Sequence, residues 1–125
     1  MIFLDSNYLL RFITNDIPDQ ATKARFILKK NSIYISSIVL AEVVYFLIKH
    51  YKIDKTKVCR TVMTLLKQHN IGSPIYSMKS FEIYQEENIS YYDSLLLAEV
   101  LENKGVLKSF DKKLEKVFKR YNELK

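Results

Sequence analysis

The chain has 125 residues, 48% of them hydrophobic, with 20 Lys and Arg against 14 Asp and Glu and a formal charge of +6. That length supports one hydrophobic core rather than two, so a single domain over residues 1–125 is expected. Its apolar runs fall far short of the ~18 residues a membrane span needs. Cys59 is alone, which excludes an internal disulfide and a cysteine metal cluster, and no basic, hydrophobic leader precedes the first strand, so a cytoplasmic protein is expected.

In chain order, Met1-Ile2-Phe3-Leu4 reads as a buried strand that stops at Asp5. A helix is expected over 6–14. Asp16 and Asp19 then read as turn and capping residues before a helix over 19–30, which Ala21, Ala24, Phe26, Ile27 and Leu28 make amphipathic. A strand over 33–35 leads to Ser36 or Ser37, either of which can cap a helix over 37–51. That helix holds Glu42, the only charge between Ser37 and Lys49, although ten of the eleven positions from Ile38 to Ile48 are apolar. A buried carboxylate without a partner costs several kcal/mol, on the order of a domain's whole stability, so something positive is expected to meet it. Asp54 can cap a helix over 55–69, and a strand over 75–77 and a helix over 79–88 follow. Ser90 precedes a helix over 92–104 that carries Asp93 and ends at Asn103-Lys104-Gly105, with glycine expected as the left-handed terminator. A strand over 106–110 stops at Asp111, and Leu114–Lys125 reads as a final helix. Strands alternating with helices in this way argue for an α/β fold with a parallel sheet and helices on both faces.

Asp5 and Asp111 thus fall at the carboxyl ends of strands, where open parallel sheets bind ligands. With Glu42 and Asp93 they make four acids in apolar surroundings. Gathered in one pocket, each pair at ~4 Å would repel by up to about 4 kcal/mol, so the cluster must hold protons or bind cations. All-oxygen ligation selects Mg²⁺ or Mn²⁺ over Zn²⁺. The reaction that best uses such a site is phosphodiester hydrolysis, because a metal activates water and stabilises the oxygens that gain charge. Charge is distributed to match: residues 80–103 hold six acids and no Lys or Arg, residues 104–125 hold eight basic residues, and Lys49, Lys52, Lys55, Lys57 and Arg60 form a second basic stretch. Basic zones around an acidic centre suit a phosphate backbone. Tyr91 and Tyr92 could stack on bases or pack in the core. Cys59 reads as a packing residue.

Other readings compete. A receiver-type signalling domain would need paired acids after the first strand and an acceptor Asp ending the central one; Asp5 is followed by Ser6, and 75–77 ends without an Asp. A metal-free ribonuclease could use His50 and His69, although both read as residues near helix ends. A non-catalytic RNA- or partner-binding module would be separated from an enzyme only by assay.

Five blocks in order carry a family resemblance: Ile2-Phe3-Leu4-Asp5-Ser6-Asn7 with Leu9-Leu10-Arg11, Asn15-Asp16-Ile17-Pro18, Ser36 through Glu42, Asp93-Ser94-Leu95-Leu96-Leu97-Ala98, and Ser109-Phe110-Asp111-Lys112-Lys113-Leu114. Together they resemble the PIN-domain family, and within it the toxin-type, VapC-like endoribonucleases. The resemblance implies a three-layer α/β/α fold with a mostly parallel sheet of four strands. Many relatives add a fifth after the Asp111 helix, where this chain reads as helix. It implies a Mg²⁺- or Mn²⁺-dependent endoribonuclease whose acidic pocket is Asp5, Glu42, Asp93 and Asp111, with Ser6 and Ser109 orienting the ligands and Asn7 supporting the pocket. It also implies an RNA substrate, a small cognate antitoxin and a homodimer.

Overall fold

In the computed structural model, which describes residues 1–124, each expected helix forms close to its expected bounds: α1 Ser6–Thr14, α2 Pro18–Lys30, α3 Ser37–Lys49, α4 Lys55–Leu66, α5 Ser77–Glu86, α6 Tyr91–Glu102 and α7 Lys112–Glu123. Side chains start four of them. Asp5 accepts from the Tyr8 amide at 3.1 Å, Asp54 from Lys57 at 2.9 Å, Ser90 from Asp93 at 3.1 Å and Asp111 from Leu114 at 3.1 Å. Each satisfies an amide that the first turn leaves without an intrahelical partner. Ser36 occupies the cap of α3 without a side-chain hydrogen bond, and Pro18 opens α2 at the position where a missing N–H costs nothing. The final helix is seen to Glu123; the expected end at Lys125 lies outside the described residues.

The end of α6 differs from expectation. Lys104, not Gly105, takes the left-handed conformation, at φ 53°, and the Gly105 amide donates to the Val100 carbonyl at 2.9 Å. The six-to-one bond of this helix terminator therefore places glycine one position past the strained residue.

The strands are shorter and fewer than expected. β1 Ile2–Phe3, β2 Ile33–Tyr34 and β3 Ile71–Gly72 form a parallel sheet in the order β1-β2-β3, so the described residues contain three strands rather than four or five. The strand expected over 75–77 lies earlier, at β3. Pro74 has no amide to donate and disfavours continued helix before it, while Ser77 already begins α5. Gly72 sits opposite Tyr34, and a Cβ there would come within 3.2 Å of the Tyr34 ring, so the close approach of β2 and β3 calls for glycine. Val106–Phe110 forms no strand. Only Leu107 of that run is buried, and its amides look to side chains instead: Ser109 N–H donates to Glu115 at 3.3 Å and Asp111 N–H to the Ser109 hydroxyl at 3.0 Å. A run that buries one residue in five lacks the apolar contact that holds a strand.

The chain forms two compact units, Met1–Pro74 and the segment from Ile75 onward. In the first, α1 packs on α2 and α3, α3 on α4, and α4 on β3, around Leu9, Ile33, Leu40, Val43, Leu47 and Val62. Cys59 belongs to this core, and burial pushes its thiol up to about 11, so it stays protonated and unreactive near neutral pH, as a packing residue does. In the second unit α6 packs on α5 and α7 around Ile83, Leu97, Leu101, Leu114, Val117 and Phe118, and Arg120 pairs with Glu87. No described helix is long and apolar enough to cross a membrane. The fold class is α/β with an open parallel sheet, as expected.

Candidate functional site

Asp5 leaves β1 at its carboxyl end, and its exposed side chain both caps α1 and lines a groove of about 400 Å³ with Asn7, Tyr8, Arg11, Gln20 and Lys23. Asn7, expected to support the acidic pocket, lines this groove with Asp5. Arg11 is held there by an Nε donation to Gln20 at 2.9 Å and a longer one to the Tyr51 hydroxyl at 3.3 Å. Two cations beside a strand-end carboxylate make the groove suited to a phosphate next to an acid. Sequence reasoning gave Arg11 no role and did not single out Lys23. The available signal was helical spacing: Arg11 stands four residues after Asn7, on one face of a short helix that buries Leu9 and Leu10.

Glu42 lies in the second turn of α3, about 8 Å along the helix from Ser37. Because α3 follows β2, and β2 pairs in parallel with β1, the topology sends Asp5 and Glu42 from the same edge of the sheet. Glu42 is half-buried rather than buried, since α3 is not enclosed on all sides: Ile38, Tyr45 and Phe46 are exposed beside it. The positive partner expected for Glu42 is not a side chain. Among the described residues no Lys, Arg or His pairs with it, nor with Asp5, Asp93 or Asp111.

In the second unit Asp93 is the third residue of α6, half-buried, where aligned backbone dipoles favour a negative charge. Asp111 is exposed and caps α7, and the Ser109 hydroxyl accepts from its backbone amide. Ser6 opens α1 and is half-buried. Asp5 and Glu42 therefore fall in one unit and Asp93 and Asp111 in the other. Among the described residues no group of three or more His, Cys, Asp or Glu side chains is drawn together to hold a metal. Carboxylate oxygens are the ligand type that hard divalent cations take.

The remaining candidates resolve into structure. Asp16 accepts from Tyr51 and Thr14, both at 2.8 Å, with Arg11 at 3.6 Å; these hydrogen bonds, led by Tyr51, hold its carboxyl below the usual value and tie the α1–α2 turn to the end of α3. Asp19 lies in the first turn of α2, as a charge complementing the helix dipole does. Tyr91 is core: it stacks on Phe81 with ring centroids 4.8 Å apart and shares a 2.8 Å hydrogen bond with Ser80. Tyr92 is exposed. His50 ends α3 against Tyr51, and His69 follows α4 in a different groove.

The family model for the PIN domain matches residues 2–120, which covers both units. The comparison with curated proteins gives no match.

Proposed function

The chain belongs to the PIN-domain family, which is built on a nuclease-type fold that acts on nucleic acid, and from that premise we propose that it is a Mg²⁺- or Mn²⁺-dependent endoribonuclease, the toxin of a toxin–antitoxin pair. Asp5, Glu42, Asp93 and Asp111 hold the metal in this reading. The observation that carries it is Glu42: a half-buried carboxylate in an apolar helix, with no cationic side chain paired to it among the described residues, supports a cation supplied from outside the chain. A bound divalent ion would supply an activated water and neutralise charge gained at the phosphorus oxygens.

The chain's own residues do the rest. Arg11 and Lys23, beside Asp5, bind the phosphate backbone and set it against the carboxylates. Asn7 offers neutral donors and acceptors at the same groove, and the Ser109 hydroxyl fixes the backbone that presents Asp111. The exposed Ile38, Tyr45 and Phe46 on α3 give an apolar surface flanking Glu42 on which an antitoxin or a second copy could rest.

Purified protein incubated with structured RNAs should give discrete products in Mg²⁺ or Mn²⁺ and none with a chelator. Cleavage that survives chelation rules out the metal mechanism; no cleavage with either metal, by folded protein, favours a non-catalytic binding module.

A further inference from the structure

A second groove of about 700 Å³ opens in the first unit, and none of the four acids lines it. Asn70 and Ile71 form part of its wall at the amino end of β3, whereas Asp5 stands at the carboxyl end of β1; in a parallel sheet these are opposite edges. Phe12, Leu28 and Leu65 give it an apolar wall, and Thr61, Thr64 and Gln68 add neutral hydrogen-bonding groups. Three cations line it, Arg25 and Lys29 from α2 and Arg60 from α4, and no Asp or Glu does. Its size falls in the ~300–1,000 Å³ range of small-ligand sites.

Arg25 and Lys29 are four residues apart on one helix face, so their like charges repel each other, while Lys29 in the last turn of α2 also complements the helix dipole. Arg25 is held by donations to Asn15 at 3.3 Å and Thr22 at 3.1 Å, neutral partners that fix the guanidinium and leave its charge uncompensated. Lys29 and Arg60 are exposed and form no ion pair among the described residues. An anion in the groove relieves this repulsion. The polar groups and one half-buried aromatic ring suit a nucleotide, with phosphates on the cations and a base against Phe12 and Leu65. An amphipathic helix would need a longer apolar seam, and Leu28 and Ile71 are already buried.

We propose that this groove is a binding site for single-stranded RNA, separate from the acidic pocket, in which Arg25, Lys29 and Arg60 hold backbone phosphates; it rests on the nucleic-acid reading of the chain and extends its RNA contact surface.

The test is binding of a labelled oligouridylate to the full chain, by fluorescence anisotropy in chelator, so that no catalysis is involved. Lys29→Glu with Arg60→Glu should weaken binding at least tenfold. The milder Lys29→Gln with Arg60→Gln, whose thermal melt checks folding, should lower the salt dependence of log affinity by roughly 1.4, about 0.7 for each phosphate no longer neutralised. Lys79→Gln, an exposed cation of α5 that lines neither groove, should bind like wild type. An oligoglutamate of equal length and inorganic phosphate should compete poorly. Unchanged affinity in the folded double variants, no binding by wild type, or displacement by oligoglutamate as readily as by RNA overturns the proposal. Binding through the groove without any metal-dependent cleavage would instead sink the catalytic reading and leave this one standing.

Discussion

Glu42 and Asp93 are half-buried carboxylates with which no basic side chain pairs among the described residues, whereas Asp5 and Asp111 have a second occupation as helix caps. Substitutions separate the two roles. If the four acids form the metal pocket, Asp5→Asn, Glu42→Gln and Asp93→Asn each reduce cleavage by more than about 100-fold, beyond the 10–100-fold that follows loss of a residue merely supporting a ligand. Asp111→Asn, whose amide oxygen still ligates and whose side chain still caps, should lose less. Without metal, removing one negative charge relieves repulsion, so Glu42→Gln should melt at or above wild type, while Asp93→Asn also gives up a favourable charge in the first turn of α6 and should stay within about 1 kcal/mol of it. Asp5→Ala, which also deletes the cap, should lose about 1 kcal/mol of stability that Asp5→Asn keeps. Metal-free melts well below wild type for Glu42→Gln and Asp93→Asn would mean that these acids stabilise the fold directly, against the pocket reading. At this scale the sequence was legible where a residue contradicts its surroundings, as Glu42 does in an apolar run. It was not legible for Arg11 and Lys23, ordinary surface cations by composition that matter only because α1 and α2 fold together beside Asp5.

Helices were legible throughout and strands only in part, for a physical reason: β1 and β2 form inside the runs expected over 1–4 and 33–35, whereas 75–77 and 106–110 form none. A helix makes its hydrogen bonds within its own segment, so caps such as Asp54 and Ser90 mark its start whatever the tertiary context. Two-residue strands such as β3 owe their existence to a neighbour, and nothing local distinguishes Ile71-Gly72 from a loop except a glycine whose purpose is the ring of Tyr34. Val106–Phe110 has the composition of a strand, yet its exposed Val106 and Phe110 leave it without the burial that would hold it in a sheet. The α6 terminator gives the test of this scale. Because Lys104 holds the left-handed conformation and Gly105 does not, Lys104→Gly should stabilise the protein by about 1 kcal/mol. Gly105→Ala, whose new Cβ would meet Val100 at an ordinary 3.6 Å, should be close to neutral. The reverse ranking in chemical denaturation would return the left-handed role to Gly105.

For the molecule as a whole, acids from the first and last parts of the chain belong to different compact units, so no local pattern could show how a complete site assembles; the ordered run of family blocks carried that reading, and the PIN match over residues 2–120 bears out the family. Partners are the natural test at this scale. A nuclease directed at the cell's own RNA must be restrained, and the cheapest restraint is a cation delivered to the four carboxylates, because an inhibitor's Arg or Lys would neutralise them and compete with metal at once. The exposed apolar residues of α3, beside Glu42, would seat the rest of such an inhibitor. Expression of the chain alone should therefore arrest growth, and Glu42→Gln should abolish the arrest. Co-expression with the small reading frame encoded beside it should restore growth and yield a complex, and charge reversal of one basic residue in that partner should weaken the complex at least tenfold. Loss of Ile38 and Phe46 to Ser should weaken it as well, without affecting cleavage. If the chain is harmless when expressed alone and no neighbouring product binds it, the toxin assignment fails, while RNA cleavage in vitro would still uphold the nuclease.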